Sequence, residues 1–126
     1  LKISVVSTAK YVLPYFLSEF IKQHPEVELK IQVSNRDQVL KSQLENEVDF
    51  SMVSLHFTQF EYDYITLLKN EIYLVGNAEN AKNFPKLNKS YTFADLPLIF
   101  REEGSGTRRV MEKFLSDQFG TSLWTV

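Results

Sequence analysis

The amino-acid sequence predicts an α/β fold built on a parallel sheet, and three observations lead there. Short apolar runs at residues 2–7, 27–33 and 48–54 alternate with two segments in which apolar residues recur at helical spacing. Strand, helix, strand, helix, strand in that order calls for crossover connections, which pair strands in parallel and are right-handed. Each strand also runs into a polar, small-residue turn, at the carboxyl end where open α/β sheets bind ligands.

Lys2 to Ser7 reads as the first strand, with Ile3 and Val5 on one face and Val6 on the other, ending in Ser7-Thr8-Ala9. A helix follows because Leu13, Phe16, Leu17, Phe20 and Ile21 share helical spacing; Pro14 suits a first turn and Gln23-His24-Pro25 a stop. Val27 to Val33 alternates apolar and polar residues, the pattern of a strand with one wet face, which suits a sheet edge. Ser34-Asn35-Arg36-Asp37 supplies capping groups for a second helix carrying Val39, Leu40 and Leu44, and Val48 to Ser54 returns as a buried strand. The loops to watch are therefore Ser7 to Lys10, Ser34 to Asp37 and Ser54 to Phe57.

Tyr64 to Lys69 and Glu71 to Gly76 read as two further strands around Asn70, with their pairing left open. Asn77 to Lys89, rich in Asn, Lys and Ala with Pro85 inside, reads as a connecting segment, and Thr92 to Leu96 as a helical turn at most. An apolar strand, Pro97 to Phe100, then passes through Gly104-Ser105-Gly106 into a helix carrying Val110, Met111, Phe114, Leu115 and Gln118 and ending near Gly120. Residues 1–77 are thus expected to form one lobe, and residues 78–126 the connection and the start of a second. One strand and one helix cannot close a core. With no initiator Met, the reading is a piece cut from a longer chain, or one completed by another copy.

Composition narrows the function. At 126 residues, 44% hydrophobic and 24% charged with only 4 Gly and 4 Pro, the chain has the make-up of an ordered domain. Fourteen basic against 16 acidic residues, a formal net charge of −2, do not make the basic stripe that grips nucleic acid. Without cysteine there is no disulfide, thiolate metal site or cysteine nucleophile. No apolar run reaches membrane-spanning length, and Leu1-Lys2-Ile3-Ser4 is no signal peptide. No cofactor or metal is expected: Gly104-Ser105-Gly106 is followed by Arg109 rather than a third glycine, no P-loop lysine follows, and His24 and His56 lack partners at ligand spacing. Asn88-Lys89-Ser90 reads as a chance sequon. No base and orienting group can be assigned to any nucleophile, so no catalysis is expected.

The chemistry-bearing motif is Phe100-Arg101-Glu102-Glu103-Gly104-Ser105-Gly106-Thr107-Arg108-Arg109. The first amides of a helix lack intrahelical partners and sit at its positive end, so Ser105, Gly106 and Thr107 suit one carboxylate or phosphate, with Arg101 adding charge. Ser-Gly-Thr before a helix equally suits an ordinary N-cap, as do Ser7 and Thr8. Arg101 has Glu102 and Glu103 as alternative partners, Arg108 and Arg109 are expected to face solvent, and Asp49 to bind backbone in the turn before it. Phe57, Phe60, Tyr62 and Tyr64 are read as core and lobe edge.

Three stretches, in order, resemble the effector-binding domain of LysR-type transcriptional regulators over essentially the whole chain. They are Ser7-Thr8 with Tyr11-Val12-Leu13-Pro14, Phe20 and His24-Pro25-Glu26-Val27; Asn35 with Val39-Leu40 and Glu47-Val48-Asp49-Phe50; and Asp95-Leu96-Pro97-Leu98-Ile99 with Gly104-Ser105-Gly106-Thr107-Arg108. The resemblance implies a two-lobed, periplasmic-binding-protein-like effector domain of a bacterial regulator, with the second lobe incomplete here. It implies a small anionic metabolite between the lobes, contacted by Ser7, Thr8, Asn35, Arg36, Ser54, Arg101, Ser105, Gly106 and Thr107. It further implies a cytoplasmic homodimer or tetramer associating through effector domains, with the strand at 27–33 and the helix at 13–21 as contact. DNA would be bound only by an upstream winged helix-turn-helix absent from this chain. Two departures stand out: only Ala9 and Lys10 separate Thr8 from Tyr11, and Glu103 stands where family members often carry proline. The rival reading is an extracytoplasmic solute-binding protein, which shares the two-lobe clasp.

Overall fold

Strand β1 (Lys2–Val6) lies at the centre of a three-stranded parallel sheet of order β2-β1-β3, flanked by β2 (Lys30–Ser34) and β3 (Phe50–Met52). The structure, a computed structural model, describes residues 1–55, 61–81 and 97–119. Helix α1 (Leu13–Gln23) connects β1 to β2, and α2 (Arg36–Leu44) connects β2 to β3. A single helical turn, α3 (Ala78–Ala81), and a long helix, α4 (Gly106–Phe119), follow. The alternation of strand and helix and the parallel pairing are as the sequence predicts. Lys2 stands opposite Lys30 and Val6 opposite Ser34 on one side, and Ile3 opposite Phe50 on the other.

The core is small and centred on β1. Ile3, Val5, Val6, Ala9, Leu13 and Val39 are buried together, with Leu17, Leu29, Met52 and Val53 packed around them. The five apolar positions predicted for α1 span too wide an arc to reach one sheet face. Leu13 and Leu17 meet the core, Phe20 stacks near His24 at 4.8 Å, and Phe16 and Ile21, on the flanks, are exposed. Helix α2 departs further from its apolar pattern. Its buried face is Arg36, Val39 and Ser42, at i, i+3 and i+6, while Leu44 is exposed. Ser42 is tolerated inside because its hydroxyl is satisfied: it is 3.3 Å from that of fully buried Ser4 and 3.1 Å from the carbonyls of Gln38 and Val39.

Several predicted strands are shorter or unpaired. The pattern over 27–33 yields a ladder at Lys30–Ser34, extended by Leu1, which donates to the Glu28 carbonyl at 2.7 Å and accepts from the Lys30 amide at 2.8 Å; the strand is an edge among the described residues, as its alternation suggests. Val48 to Ser54 pairs only at Phe50–Met52 and is not buried, Phe50 being largely exposed, because β3 too is an edge. Tyr64 to Lys69, Glu71 to Gly76 and Pro97 to Phe100 make no ladder among the described residues. Strand propensity becomes strand structure only against a partner, and among the described residues none lies alongside. Ile65, Val75 and Ile99 are consequently exposed, as is Tyr64, while Tyr62 is half-buried. Helix α3 follows Asn77, whose side chain accepts from the Glu79 amide at 2.8 Å. Asp49 does bind backbone, but that of β1 rather than the preceding turn: its Oδ2 accepts from the Lys2 amide at 2.8 Å. Expectations for His56, Phe57, Phe60, Asn88, residues 92–96 and Trp124 lie outside the described residues.

Burial decides which truncations matter. Leu13→Ala is expected to lower unfolding free energy by about 2 to 4 kcal/mol, read by urea denaturation. Tyr15→Ala on the exposed face of the same helix should stay within about 0.5 kcal/mol of the parent. Equal losses would show that the sheet-facing side of α1 has been misassigned.

Candidate functional site

Because the three strands run in the same direction, the turns that follow them emerge side by side. Ser7 and Thr8 leave β1, Asn35 and Arg36 leave β2, and Ser54 lies just beyond β3. The turn at 101–107 closes over them. All nine residues singled out from the sequence, joined by Val6, line one shallow, open cleft.

Each wall is held differently. The Ser7 amide donates to the Ser34 carbonyl at 3.1 Å, and its hydroxyl lies 3.4 Å from the same oxygen. Thr8 does not cap α1: a 3₁₀ turn at Ala9–Tyr11 intervenes, so the first α-helix begins one turn away from the cleft. Lys10 lies over the Tyr11 ring at 4.8 Å, and neither it nor exposed Glu103 lines the cleft. Asn35 caps α2 conventionally, its Oδ1 accepting from the Gln38 amide at 3.0 Å. The next donor of that helix, the Asp37 amide, is taken by the Gly104 carbonyl at 3.2 Å. The start of α2 is therefore largely satisfied by the protein itself. At α4 the Ser105 hydroxyl faces the Arg108 amide at 3.4 Å and the Ser105 carbonyl accepts from the Arg109 amide. The Gly106 and Thr107 amides show no hydrogen bond among the described residues, which leaves the positive end of α4 turned to the cleft.

Two glycines allow the approach. Gly104 has φ +81°, the left-handed region, and a Cβ there would stand 3.2–3.3 Å from Asn35 Nδ2, Asp37 Cβ and Asp37 Oδ2. A Cβ at Gly106 would lie 3.2 Å from Ser54 Oγ and 3.5 Å from Arg36 Cδ.

Charge is unevenly buried. The Arg36 side chain is only 9% exposed, with Nη1 3.5 Å from Asp37 Oδ1. Arg101 turns to Glu102 instead, making 2.8 and 3.0 Å bonds from Nε and Nη2. That guanidinium holds the Glu102 carboxyl below the usual carboxylate range, and the carboxylate raises Arg101 in turn. Arg108, expected in solvent, is mostly buried: it donates to Glu112 at 2.7 Å and to the Arg101 carbonyl at 3.2 Å, and lies over the Phe100 ring. Arg109 is exposed, as expected, yet it reaches across to α2 and places Nη2 3.0 Å from both oxygens of Asp37. Asp37 and Arg109 are the pair that sequence reasoning missed. They lie 72 positions apart with no local pattern linking them.

This cleft is cationic at Arg36, rich in hydroxyls and backed by a helix start, which is what a small carboxylate or phosphate requires. The sequence matches the profile of the LysR substrate binding domain over residues 1–122. The chain belongs to that family. Relatives of the LysR substrate-binding domain include the HTH-type transcriptional regulator CbbR of Rhodospirillum rubrum, 37% identical over 120 residues, covering 93% of this chain and 38% of that protein. The RuBisCO operon transcriptional regulator of Acidithiobacillus ferrooxidans is 30% identical over 125 residues, covering 99% and 40% respectively. The HTH-type transcriptional activator CmpR of a Synechocystis strain is 28% identical, covering 93% and 38%. The chain thus spans less than half the length of these regulators. Among solved structures, the Synechocystis PCC6803 CcmR regulatory domain in complex with 2-PG matches with a TM-score of 0.69 at 26% identity, over 94% of this chain and 57% of that one. Family membership decides against the solute-binding rival. Among the described residues, no helix is long and apolar enough to cross a membrane.

The glycine and the carboxyl shift each yield a test. Gly104→Ala should cost about 1 to 2 kcal/mol of stability from the positive φ alone, measured by chemical denaturation, and a neutral result would mean the turn adopts another conformation. Glu102 should titrate below an ordinary glutamate when followed by NMR, and Arg101→Gln should bring it back up. With its carboxyl depressed in the folded state, the small contribution of this half-exposed pair is present above the ordinary glutamate range and disappears as pH falls through the folded value.

Proposed function

We propose that this chain is the effector-sensing domain of a LysR-type DNA-binding transcriptional regulator, and that the cleft binds a small anionic metabolite. The observation that carries the reading is the burial of Arg36 in a cleft whose other walls offer the hydroxyls of Ser7, Thr8, Ser54, Ser105 and Thr107 and the amides that open α4. The Arg36 guanidinium, held 3.5 Å from Asp37, places positive charge at the carboxyl ends of the parallel strands, where an anion in the cleft would meet it. The likeness to a regulatory domain in complex with 2-PG, and to regulators of RuBisCO operons, supports an anion of that size and charge. Among the described residues the lining offers no histidine, carboxylate or lysine to act as a base.

In this reading residues 1–77 form the first lobe and residues 78–126 the connection and the opening of the second, with the anion between them. The regulator acts in the cytoplasm as a homodimer or tetramer through its effector domains, and touches DNA only through a separate N-terminal helix-turn-helix. The exposed apolar edge of β2, Ile31 and Val33, beside α1, is the surface offered to a second copy.

Thermal-shift measurements with 2-PG, inorganic phosphate, sulfate and short carboxylates should find at least one that raises the melting temperature, since selective binding to the native state stabilises it by mass action. Thr107→Val and Ser7→Ala should then weaken that anion about tenfold, the scale of a lost hydrogen bond to a charged group, without changing the ligand-free melting temperature by more than a degree or two. If every anion leaves the parent unmoved, or the variants respond as the parent does, the cleft is not the effector site.

A further inference from the structure

Three hydrogen bonds join the segment 101–109 to the start of α2, and Asp37 is the partner in each. Its amide donates to Gly104, and its two carboxylate oxygens accept from Arg109 at 3.0 Å. Gly104 and Gly106 bring backbone close enough on either side of this junction that a Cβ would crowd Asp37, Asn35 and Ser54. Asp37 itself does not line the cleft, although its neighbour Arg36 does. The acid lies behind the seam, where it can hold the two walls together without occupying the ligand's place.

We propose that Asp37 is a positioning residue, a latch that engages Arg109 and Gly104 and keeps the wall bearing Ser105, Gly106 and Thr107 seated against the start of α2 before any ligand is present. The inference rests on the anion-binding reading and adds where the closing force comes from. The walls are 72 residues apart in sequence, so chain connectivity alone does not fix their spacing. A half-exposed ion pair supplies only a modest bias. That bias is nevertheless multiplied into affinity, because a ligand that bridges both walls binds more weakly by the fraction of molecules in which the walls are together. The consequence runs against simple electrostatics. Removing an acid beside an anion site should ordinarily tighten binding, whereas removing the latch loosens it.

The test uses Asp37→Asn, Arg109→Gln and the double variant in the intact protein, with inorganic phosphate as the calorimetric probe. The latch predicts that each single change weakens phosphate by about fivefold, the upper range for a pair of this exposure, and that the double variant is no worse than either. Tighter or unchanged binding in Asp37→Asn, or losses that add in the double variant, would overturn it. Amide hydrogen exchange on the ligand-free protein gives a second readout that does not depend on the anion-binding reading. In Arg109→Gln the Asp37 amide should lose protection while the amides of Ser4 to Val6 in β1 keep theirs. If phosphate fails to bind the parent at all but this loss of protection is seen, the latch stands and the choice of ligand falls. Unchanged protection at Asp37 removes the latch whatever phosphate does.

Discussion

The parallel pairing of β1 with both of its neighbours is the constraint from which the rest follows. Two ladders in the same direction oblige the chain to return over the sheet after each strand, which generates α1 and α2. They also deliver three polar turns to one edge, so Ser7, Asn35, Arg36 and Ser54 become neighbours although up to 47 positions separate them in sequence. Antiparallel pairing of β1 with either neighbour would scatter the same residues to opposite ends. The cleft is thus a property of topology first and of side-chain chemistry second.

Helix α2 shows how far local patterning reaches. Its cap was legible, because Asn35 followed by Arg36-Asp37-Gln38 has the form of a helix start, and the Asn35 side chain does accept from Gln38. Its buried face was not. Counting apolar residues points to Val39, Leu40 and Leu44, whereas the helix turns Arg36, Val39 and Ser42 inward and leaves Leu44 outside. The sheet accepts a polar stripe here because Ser4 sits beneath Ser42, and because Arg36 opens onto the cleft. A hydrophobic count cannot see compensation that comes from another strand.

The same distinction separates the parts of the site that could be read in advance from those that could not. Glycine-rich turns before helices and strand-terminal serines carry their meaning locally, so Ser105, Gly106, Thr107, Ser7 and Arg36 could be nominated from topology and family resemblance. Arg109 and Asp37 could not, because an ion pair bridging distant elements leaves no trace in either neighbourhood. The segments 64–69, 71–76 and 97–100 have the residues of strands but no paired neighbour among the described residues, and hydrogen-bonded neighbours decide whether such residues are used.

The depth of Arg36 has a consequence for how an anion would arrive. Salt screens charges in water over about 8 Å at physiological ionic strength. It reaches the half-exposed Arg101–Glu102 pair and scarcely reaches a guanidinium that is 9% exposed. The chain as a whole is negative by two charges and offers an approaching anion no long-range attraction. For the proposed anion, encounter would then be left to ordinary diffusion and selectivity to the last few ångströms, where salt dilutes the field of a buried guanidinium least.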